Sequence, residues 1–224
     1  MASVLVVAPH PDDETLGCGG TLLRHIDRGD QVHWLIVTSI PKGEGYPDQK
    51  INDREEEISA VQGKYPFTEV HFLDFPTTRL DEVPLHHFVE KISSVMRKIR
   101  PEIMYLPYRG DIHSDHAATF DACMACTKWF RYPHISSVFI YETLSETEFG
   151  INPDNNGFRP NYYVNIEGEL LEKKLEIMRI YSSEMGEYPF PRSEHAIRSL
   201  ASYRGVASGF HSAEAFMLIK GVWS

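Results

Sequence analysis

Residues 4–14, Val-Leu-Val-Val-Ala-Pro-His-Pro-Asp-Asp-Glu, join an apolar run directly to one imidazole and three carboxylates. The apolar run at residues 4–8 has the length and composition of a buried strand. A strand has no structural use for so much charge at its end, so the charge points to a site. In open α/β sheets, ligands bind at the carboxyl ends of the strands. This stretch therefore predicts a parallel sheet and marks the edge where its site lies.

Strand and helix patterns alternate along most of the chain. We predict strands over residues 3–8, 32–37, 70–73, 103–106 and 137–141, and helices over residues 16–28, 52–63, 84–99 and 115–130. Beyond these we expect a surface loop over 152–160, a strand over 162–166, a helix over 168–183 and a strand over 215–219. The alternation indicates an α/β fold whose mostly parallel sheet has helices on both faces. Since no repeat or linker composition interrupts the chain, we expect a single domain over residues 1–224.

Composition narrows the class of protein. The 224 residues carry 22 Lys and Arg against 32 Asp and Glu, a net charge of −10, which argues against a nucleic-acid-binding surface. No apolar run approaches the ~18 residues of a membrane span, and the first residues lack the features of a signal peptide. Three cysteines do not make a disulfide framework, and we expect Cys123 and Cys126 to be buried free thiols. We therefore expect a cytoplasmic protein, and homo-oligomerisation is compatible with the sequence.

The charged end of the opening stretch has the composition of a metal site. His10 and Asp13 are three residues apart in a turn that leaves a strand, so both can reach one point. An imidazole and a carboxylate suit Zn²⁺, and also Fe²⁺. Adjacent carboxylates repel one another in a crevice of low dielectric, and a cation relieves that repulsion. The alternative is a solvated cluster that favours the dipole of the next helix.

A second cluster, residues 111–116 (Asp-Ile-His-Ser-Asp-His), follows the fourth predicted strand at the same edge of the sheet. His113 and His116 are three apart at a helix start, where such residues share a face. Either Asp111 or Asp115 can accept the second N–H of an imidazole and fix its tautomer. The alternative is a capped helix start with two surface histidines. Two such clusters at one edge favour a joint functional site.

Together the clusters supply the ligand set His10, Asp13 and His116. Three protein ligands with a position left for water are the open arrangement of catalytic zinc sites. Asp12, beside the ligands, can act as the general base on that water. His113 can stabilise an oxyanion that develops at a carbonyl, or protonate a leaving amine.

These residues resemble the motifs of the PIG-L/LmbE-like family of zinc-dependent N-deacetylases. The family's Ala-His-Pro-Asp-Asp-Glu motif is similar to residues 9–14, with Pro9 in the first place, and its His-x-Asp-His motif is similar to residues 113–116. The resemblance implies a Rossmann-like fold and removal of the N-acetyl group from an amino sugar, nucleotide sugar or sugar conjugate. It also implies zinc on His10, Asp13 and His116, with Asp12 as base. His113, paired with Asp115, would stand at the oxyanion.

The resemblance extends to weaker motifs. Residues 54–57, Arg-Glu-Glu-Glu, are similar to the family's Arg-x-x-Glu and imply active-site roles for Arg54 and Glu57. A solvated helix face is the alternative for these residues. Residues 213–216, Ala-Glu-Ala-Phe, resemble the family's terminal motif, where Glu214 would line the substrate pocket. The chain departs from the family at Thr77, where many relatives carry Asp, and at residues 181–184, Tyr-Ser-Ser-Glu, where relatives often have His-x-Ser-Gln. Both departures border the substrate, so its identity stays open.

Two further functions are consistent with parts of the sequence. The glycines of residues 17–20, Gly-Cys-Gly-Gly, follow the first strand and could cradle the pyrophosphate of a dinucleotide. They come late after the strand, and the second strand lacks a following acidic residue for a ribose. A non-catalytic or differently specific metal- or sugar-binding protein would carry the same ligands. Asp12 and His113 favour catalysis.

Overall fold

A sheet of seven strands forms the centre of the computed structural model, which describes residues 1–43, 45–150 and 157–223. The strands are β1 (Ser3–Ala8), β2 (Gln31–Ser39), β3 (Glu69–Pro76), β4 (Ile103–Pro107), β5 (Ser137–Tyr141), β6 (Tyr162–Asn165) and β7 (Ala213–Gly221). Their order is β3-β2-β1-β4-β5-β7-β6. The first five are mutually parallel, whereas β7 is antiparallel to β5 and β6. The predicted mostly parallel α/β sheet is confirmed.

Six α-helices cover the sheet in the described ranges. They are α1 (Asp13–Asp27), α2 (Asp48–Lys64), α3 (Leu85–Ile99), α4 (Ser114–Ala125), α5 (Glu169–Met178) and α6 (Glu194–Ser208). Side chains alternate across β1, so Val4 and Val6 join one buried cluster, and Leu5 and Val7 join the other. Both faces of the sheet are therefore buried, which explains why β1 is apolar from Val4 to Ala8.

Several boundaries differ from those predicted. Helix α1 begins at Asp13, three residues earlier than predicted, while α4 and α5 end five residues earlier than predicted, at Ala125 and Met178. Helix α6 was not predicted at all. It buries only Ile197, Ala201 and Gly205, a stripe of mostly small residues that gives little hydrophobic periodicity. The predicted loop at residues 152–160 lies partly outside the described residues.

Two expectations drawn from composition concern the cysteines and membrane-spanning helices. Cys123 and Cys126 are buried free thiols, as predicted. Within the described ranges, the helices lack the combination of length and apolar character that spanning a bilayer requires.

The glycines after β1 lie inside α1, where they allow the helix to approach its neighbours closely. A Cβ atom on Gly17 would stand 2.3 Å from Cδ2 of Tyr141, and one on Gly20 would stand 2.5 Å from Cγ2 of Ile166. Such distances leave no room for a methyl group. The glycines thus serve packing between α1 and the sheet, in place of the phosphate-binding loop that a dinucleotide enzyme would need.

Gly20→Ala should consequently lower the free energy of unfolding by about 1–3 kcal/mol, the usual cost of overpacking a core. Urea denaturation followed by circular dichroism measures this. The matched control is Gly63→Ala, because a Cβ at Gly63 in α2 meets open space. That change should leave stability unchanged or raise it by up to about 1 kcal/mol. Equal stability of the two variants would contradict the packing argument.

Candidate metal centre and active site

The two charged clusters meet where the order of the sheet reverses. From β1 the chain proceeds outward through β2 and β3, then returns to place β4 and β5 on the other side of β1. Such a switch point leaves a crevice at the carboxyl ends of the two central strands. Residues 10–13 follow β1 and residues 111–116 follow β4. Topology therefore brings together residues about one hundred positions apart in sequence.

His10, Asp13 and His116 converge on one point. Nδ1 of His10 and Nε2 of His116 each lie 3.3 Å from Oδ2 of Asp13. Nε2 of His116 is buried and has no hydrogen-bond partner. One ligand atom from each of the three residues lies within 4.8 Å of the others. Two imidazole nitrogens and a carboxylate at this spacing fit a divalent cation, and the partnerless buried nitrogen has a use only if such a cation binds.

Two further carboxylates orient the imidazoles. Nε2 of His10 lies 3.0 Å from Oδ2 of Asp115, and Nδ1 of His116 lies 2.7 Å from Oδ2 of Asp111. If each carboxylate accepts an N–H, the other nitrogen of each ring keeps its lone pair towards Asp13. This carboxylate–histidine arrangement is the usual outer shell of metal-binding histidines. The sequence left Asp111 and Asp115 as alternatives for this role, and the structure uses both.

The pKa shifts in the cluster show that it stabilises positive charge. Burial opposes ionisation of Asp13, but the neighbouring His116 and His10 outweigh it and hold the pKa of Asp13 well below its usual range. Burial would lower the pKa of His10, but hydrogen bonds to Asp115 and Asp13 raise it to about 9. The site thus favours a cation at its centre, either as imidazolium or as a metal ion that displaces the proton.

Asp12 sits between the metal cluster and an arginine. Its side chain is buried, and Oδ2 accepts a hydrogen bond of 2.8 Å from Nη1 of Arg192. Its backbone has φ 134°, a conformation rare for non-glycine residues and often found at functional sites. Burial and the charge of Asp13 raise the pKa of the Asp12 carboxyl well above its usual range. A cation on Asp13 would offset the part of that shift that comes from the Asp13 charge.

Glu14 forms hydrogen bonds that hold the turn carrying Asp12. It is fully buried, accepting hydrogen bonds of 2.6 Å from Oγ1 of Thr15 and 2.9 Å from the hydroxyl of Tyr181. Its Oε2 also accepts a bond of 3.1 Å from the backbone N–H of Asp12. Burial raises the pKa of Glu14 to about 7. Glu14 therefore holds the backbone that presents Asp12.

His113 caps α4 and faces the metal cluster. Its Nδ1 accepts a hydrogen bond of 3.1 Å from the backbone N–H of Asp115, so the neutral ring carries its proton on Nε2. Burial, together with the charge of His10, lowers the pKa of His113 to about 4. A neutral imidazole with a free N–H is a hydrogen-bond donor at neutral pH. This favours stabilisation of an oxyanion over protonation of a leaving group.

The Asp115 carboxylate, predicted to pair with His113, lies closer to His10. Its Oδ2 is 4.0 Å from Nδ1 of His113 and 3.0 Å from Nε2 of His10. The backbone N–H groups of Thr78 and Leu80 also donate to this carboxylate, at 2.7 and 3.2 Å. The hydrogen bond between His113 and Asp115 comes from the backbone N–H of Asp115.

A cavity of about 640 Å³ opens beside the cluster. Its volume falls in the range of small-molecule sites. His10, Asp12, Asp13 and His113 lie in its lining, together with both positions that depart from the family, Thr77 and Glu184. An apolar wall completes the cavity, formed by Ile36, Ile40, Pro41, Ile51, Ile58 and Phe72.

Two arginines share one glutamate in the cavity wall. Arg54 pairs with Glu184 and lies 3.3 Å from Glu57, and its Nη1 donates to the carbonyl of Pro11 at 2.8 Å. Arg192 bridges Glu184 and Asp12, with Nη1 at 2.8 Å from each carboxylate. Arg54 thus lies at the cavity, and Glu57 supports it. Sequence analysis missed Arg192, which lies in a turn-rich stretch that carries no motif signal.

Glu214 does not line this cavity, contrary to the prediction. Its carboxylate accepts hydrogen bonds from the backbone N–H of Gly20 at 2.9 Å and of Thr21 at 2.7 Å. The ammonium of Lys174 donates to it at 2.7 Å. Glu214 lies near the start of β7, and its side chain points under α1 and α5. It therefore joins helices to the sheet and does not face the space where a substrate would bind.

Arg192→Met should lower kcat about ten- to a hundredfold, because it would let Asp12 shift. Misplacing a catalytic group by about 1 Å can lower the reaction rate about 100-fold. The change removes the guanidinium that holds Asp12 against Glu184. Steady-state kinetics should show a smaller change in KM. The matched control is Arg109→Met, which removes an exposed ion pair with Asp121 and should leave kcat unchanged. Equal losses in both variants would contradict a positioning role for Arg192.

The chain is similar to one family model, to a deacetylase and to a solved structure that covers its whole length. A family model described as "PIG-L: GlcNAc-PI de-N-acetylase" matches residues 5–127. Diacetylchitobiose deacetylase of Thermococcus kodakarensis is 29% identical over 98% of this chain and 84% of its own. The conserved protein TT1542 from Thermus thermophilus is 27% identical, with a TM-score of 0.77 over 100% of this chain and 97% of its own.

A fourth similarity shows that the fold alone does not decide the reaction. The structure of GalB, the 4-carboxy-2-hydroxymuconate hydratase from Pseudomonas putida, is 18% identical, with a TM-score of 0.73 over 100% of this chain and 98% of its own. A fold of this kind can carry unrelated chemistry. The side chains of the site, and not the fold, therefore determine the reaction.

Proposed function

Because the chain belongs to the PIG-L: GlcNAc-PI de-N-acetylase family, we propose that it hydrolyses the N-acetyl group of an amino sugar, nucleotide sugar or sugar conjugate. The relative in Thermococcus kodakarensis is named a diacetylchitobiose deacetylase, which supports this class of substrate. The observation that carries the proposal is the position of Asp12. Its buried carboxylate adjoins the convergent His10, Asp13 and His116 cluster and faces the same cavity as His113.

We propose that His10, Asp13 and His116 hold zinc, with Fe²⁺ as an alternative. Two imidazoles and one carboxylate suit either ion. When bound, such a cation supplies Lewis acidity, which polarises an amide carbonyl and makes water a better nucleophile at neutral pH. Asp111 and Asp115 would keep the lone pairs of the two histidines directed at the ion.

Asp12 would accept the proton of the attacking water and return it to the amine nitrogen as the C–N bond of the amide breaks. A general base works best when its pKa lies near the operating pH, and burial moves the pKa of Asp12 in that direction. Arg192 holds one oxygen of Asp12, which leaves the other free for the proton. His113 would donate its Nε2–H to the carbonyl oxygen of the acetamide as negative charge develops there. The backbone N–H of Asp115 fixes the tautomer that this role requires.

The cavity suggests how the sugar part would bind. Its volume of about 640 Å³ exceeds what one N-acetylated monosaccharide fills, and one wall is apolar. We propose a substrate in which the acetamido sugar carries a second group, placed against that wall. Arg54 remains a proposed substrate contact, although Glu184 and Glu57 already hold its guanidinium.

We also propose that residues 1–224 form one domain. Both buried clusters pack against the same sheet, and β7, close to the end of the chain, lies between β5 and β6. A cytoplasmic location fits the buried free thiols, which persist most readily in a reducing compartment. The acidic composition favours a small-molecule substrate over nucleic acid.

Amine release tests the proposed reaction. The purified chain, loaded with zinc or iron, is incubated with free N-acetylated sugars, nucleotide sugars and glycoconjugates, and new primary amine is measured. We expect release from at least one class, loss of release with a chelator, and recovery when metal is added back. Wild-type protein that holds metal but releases no amine from any class would contradict the proposal.

A further inference from the structure

A second cluster of metal-ligating side chains lies near the amino ends of β2 and β3, away from the proposed active site. His33 of β2 is the register partner of Glu69 in β3, and His71 follows Glu69 by two residues. Residues two apart in a strand project from the same face, so Glu69 and His71 share a face. One ligand atom from each of the three residues lies within 4.8 Å of the others.

The two histidines of this cluster have unused ring nitrogens. Nδ1 of His33 is buried without a hydrogen-bond partner, and the residue is only 7% exposed. Nε2 of His71 is likewise buried and makes no well-directed hydrogen bond, although it lies 3.1 Å from Oε2 of Glu69. Buried polar atoms without partners are uncommon and costly. Each histidine also has a ring nitrogen within 4.8 Å of a Glu69 carboxylate oxygen, which points to a ligand.

The cluster is separate from the site that the proposed function uses. His33 lies six residues before the end of β2 at Ser39, a strand length of about 20 Å. The cavity lies on the other face of the sheet at this point: Ile36 of β2 and Phe72 of β3 line it, and they are an odd number of residues from His33 and His71, so they project from the opposite face. The deacetylation chemistry therefore gives these three side chains no role.

We propose that His33, Glu69 and His71 form a second binding site for a divalent cation of the zinc class. Two imidazoles, one carboxylate and a solvent molecule complete a tetrahedral set. The ligands come from β2 and from β3, which is the edge strand of the sheet. A bound ion would tie this edge strand to its neighbour, so its expected effect is on stability and not on catalysis.

Lys98 of α3 forms an ion pair with Glu69, one of the three proposed ligands. Its ammonium lies 2.9 Å from Oε2 of Glu69, and its side chain is 63% exposed. The ammonium is paired with the carboxylate that the metal ion would bind. Because the lysine side chain is exposed, it can move into solvent when the ion binds. A metal ion and Lys98 thus compete for Glu69. Removing the lysine charge should tighten metal binding severalfold.

Zinc titration of the full chain by calorimetry, after treatment with a chelator, tests the proposal. We expect two equivalents in the wild type and one in Glu69→Gln or His71→Asn. Losing a ligand should weaken the site by more than the ~10–100-fold that outer-shell changes cost. His116→Asn should lose the catalytic equivalent and keep this one. The surface control His86→Asn should keep both, and Lys98→Met should bind the second ion more tightly.

Thermal unfolding gives a second measurement. Zinc should raise the Tm of His116→Asn, because a ligand that binds the folded state stabilises it. Zinc should not raise the Tm of the double variant His116→Asn with Glu69→Gln. Glu69 is half-exposed, so its substitution is compatible with folding. A single zinc equivalent that His116→Asn abolishes would overturn the proposal, and so would a second equivalent that Glu69→Gln and His71→Asn leave unchanged.

Discussion

Asp12→Asn is expected to lower kcat for amine release by about 10²–10⁴-fold, the usual contribution of a positioned general base. An amide keeps the shape of the side chain but cannot accept the proton of the attacking water. Asn is preferred to Ala here because the backbone has φ 134°, and Asn is among the non-glycine residues that tolerate positive φ best. Steady-state kinetics and the bound zinc content are measured on the same preparation.

The same variant should keep its metal, since the convergent ligand set consists of His10, Asp13 and His116. Asp74→Asn is the matched control. Asp74 lies in the cavity lining at an exposed position with φ 55°, so the same change there should leave kcat nearly unaltered. Near-normal turnover by Asp12→Asn would exclude Asp12 as the base.

Asp13→Asn should abolish metal binding at micromolar zinc and, with it, nearly all amine release. Oδ2 of Asp13 lies 3.3 Å from both ligand nitrogens, so it is the charged member of the set. Outer-shell substitutions already cost about 10–100-fold in metal affinity, and removing this ligand's charge should cost at least as much. Zinc content after dialysis, and activity as a function of added zinc, are the measurements.

Asp12→Asn serves as the matched control for this second variant, because the two changes are chemically identical at neighbouring positions. We expect one to lose catalysis with metal retained, and the other to lose both. Activity of Asp13→Asn that recovers at high zinc would agree with a weakened metal site. Full zinc content and full activity at micromolar zinc would contradict the ligand role of Asp13.

The convergence of His10, Asp13 and His116 and the mostly parallel sheet could be predicted because each depends on local sequence. The apolar run over residues 4–8 of β1 indicates a strand buried on both faces, and His10 comes two positions after its end. Asp111 likewise comes four positions after the end of β4. Once the strands are known to be parallel, their carboxyl ends must share an edge. Proximity of His10 and His116 then follows without any knowledge of the loops.

The rest depends on contacts that local sequence does not encode. Arg192 reaches Asp12 across 180 positions, from the segment between α5 and α6. The Asp115 carboxylate was expected at His113, but donors from the loop after β3 draw it towards His10. Glu214 matched a motif, yet its side chain serves the helices. Side-chain direction of this kind is set by tertiary partners.

Strand ends carry the convergent cluster and loops form much of the cavity wall, and this arrangement affects how the scaffold could diversify. The proposed metal ligands His10, Asp13 and His116 are anchored at the ends of two central strands, whereas much of the cavity wall comes from segments 39–42, 77–78 and 143–146. Changes in those segments would alter what fits without moving the proposed ligands. New specificities could therefore be selected, or grafted, one loop at a time while the reaction is conserved.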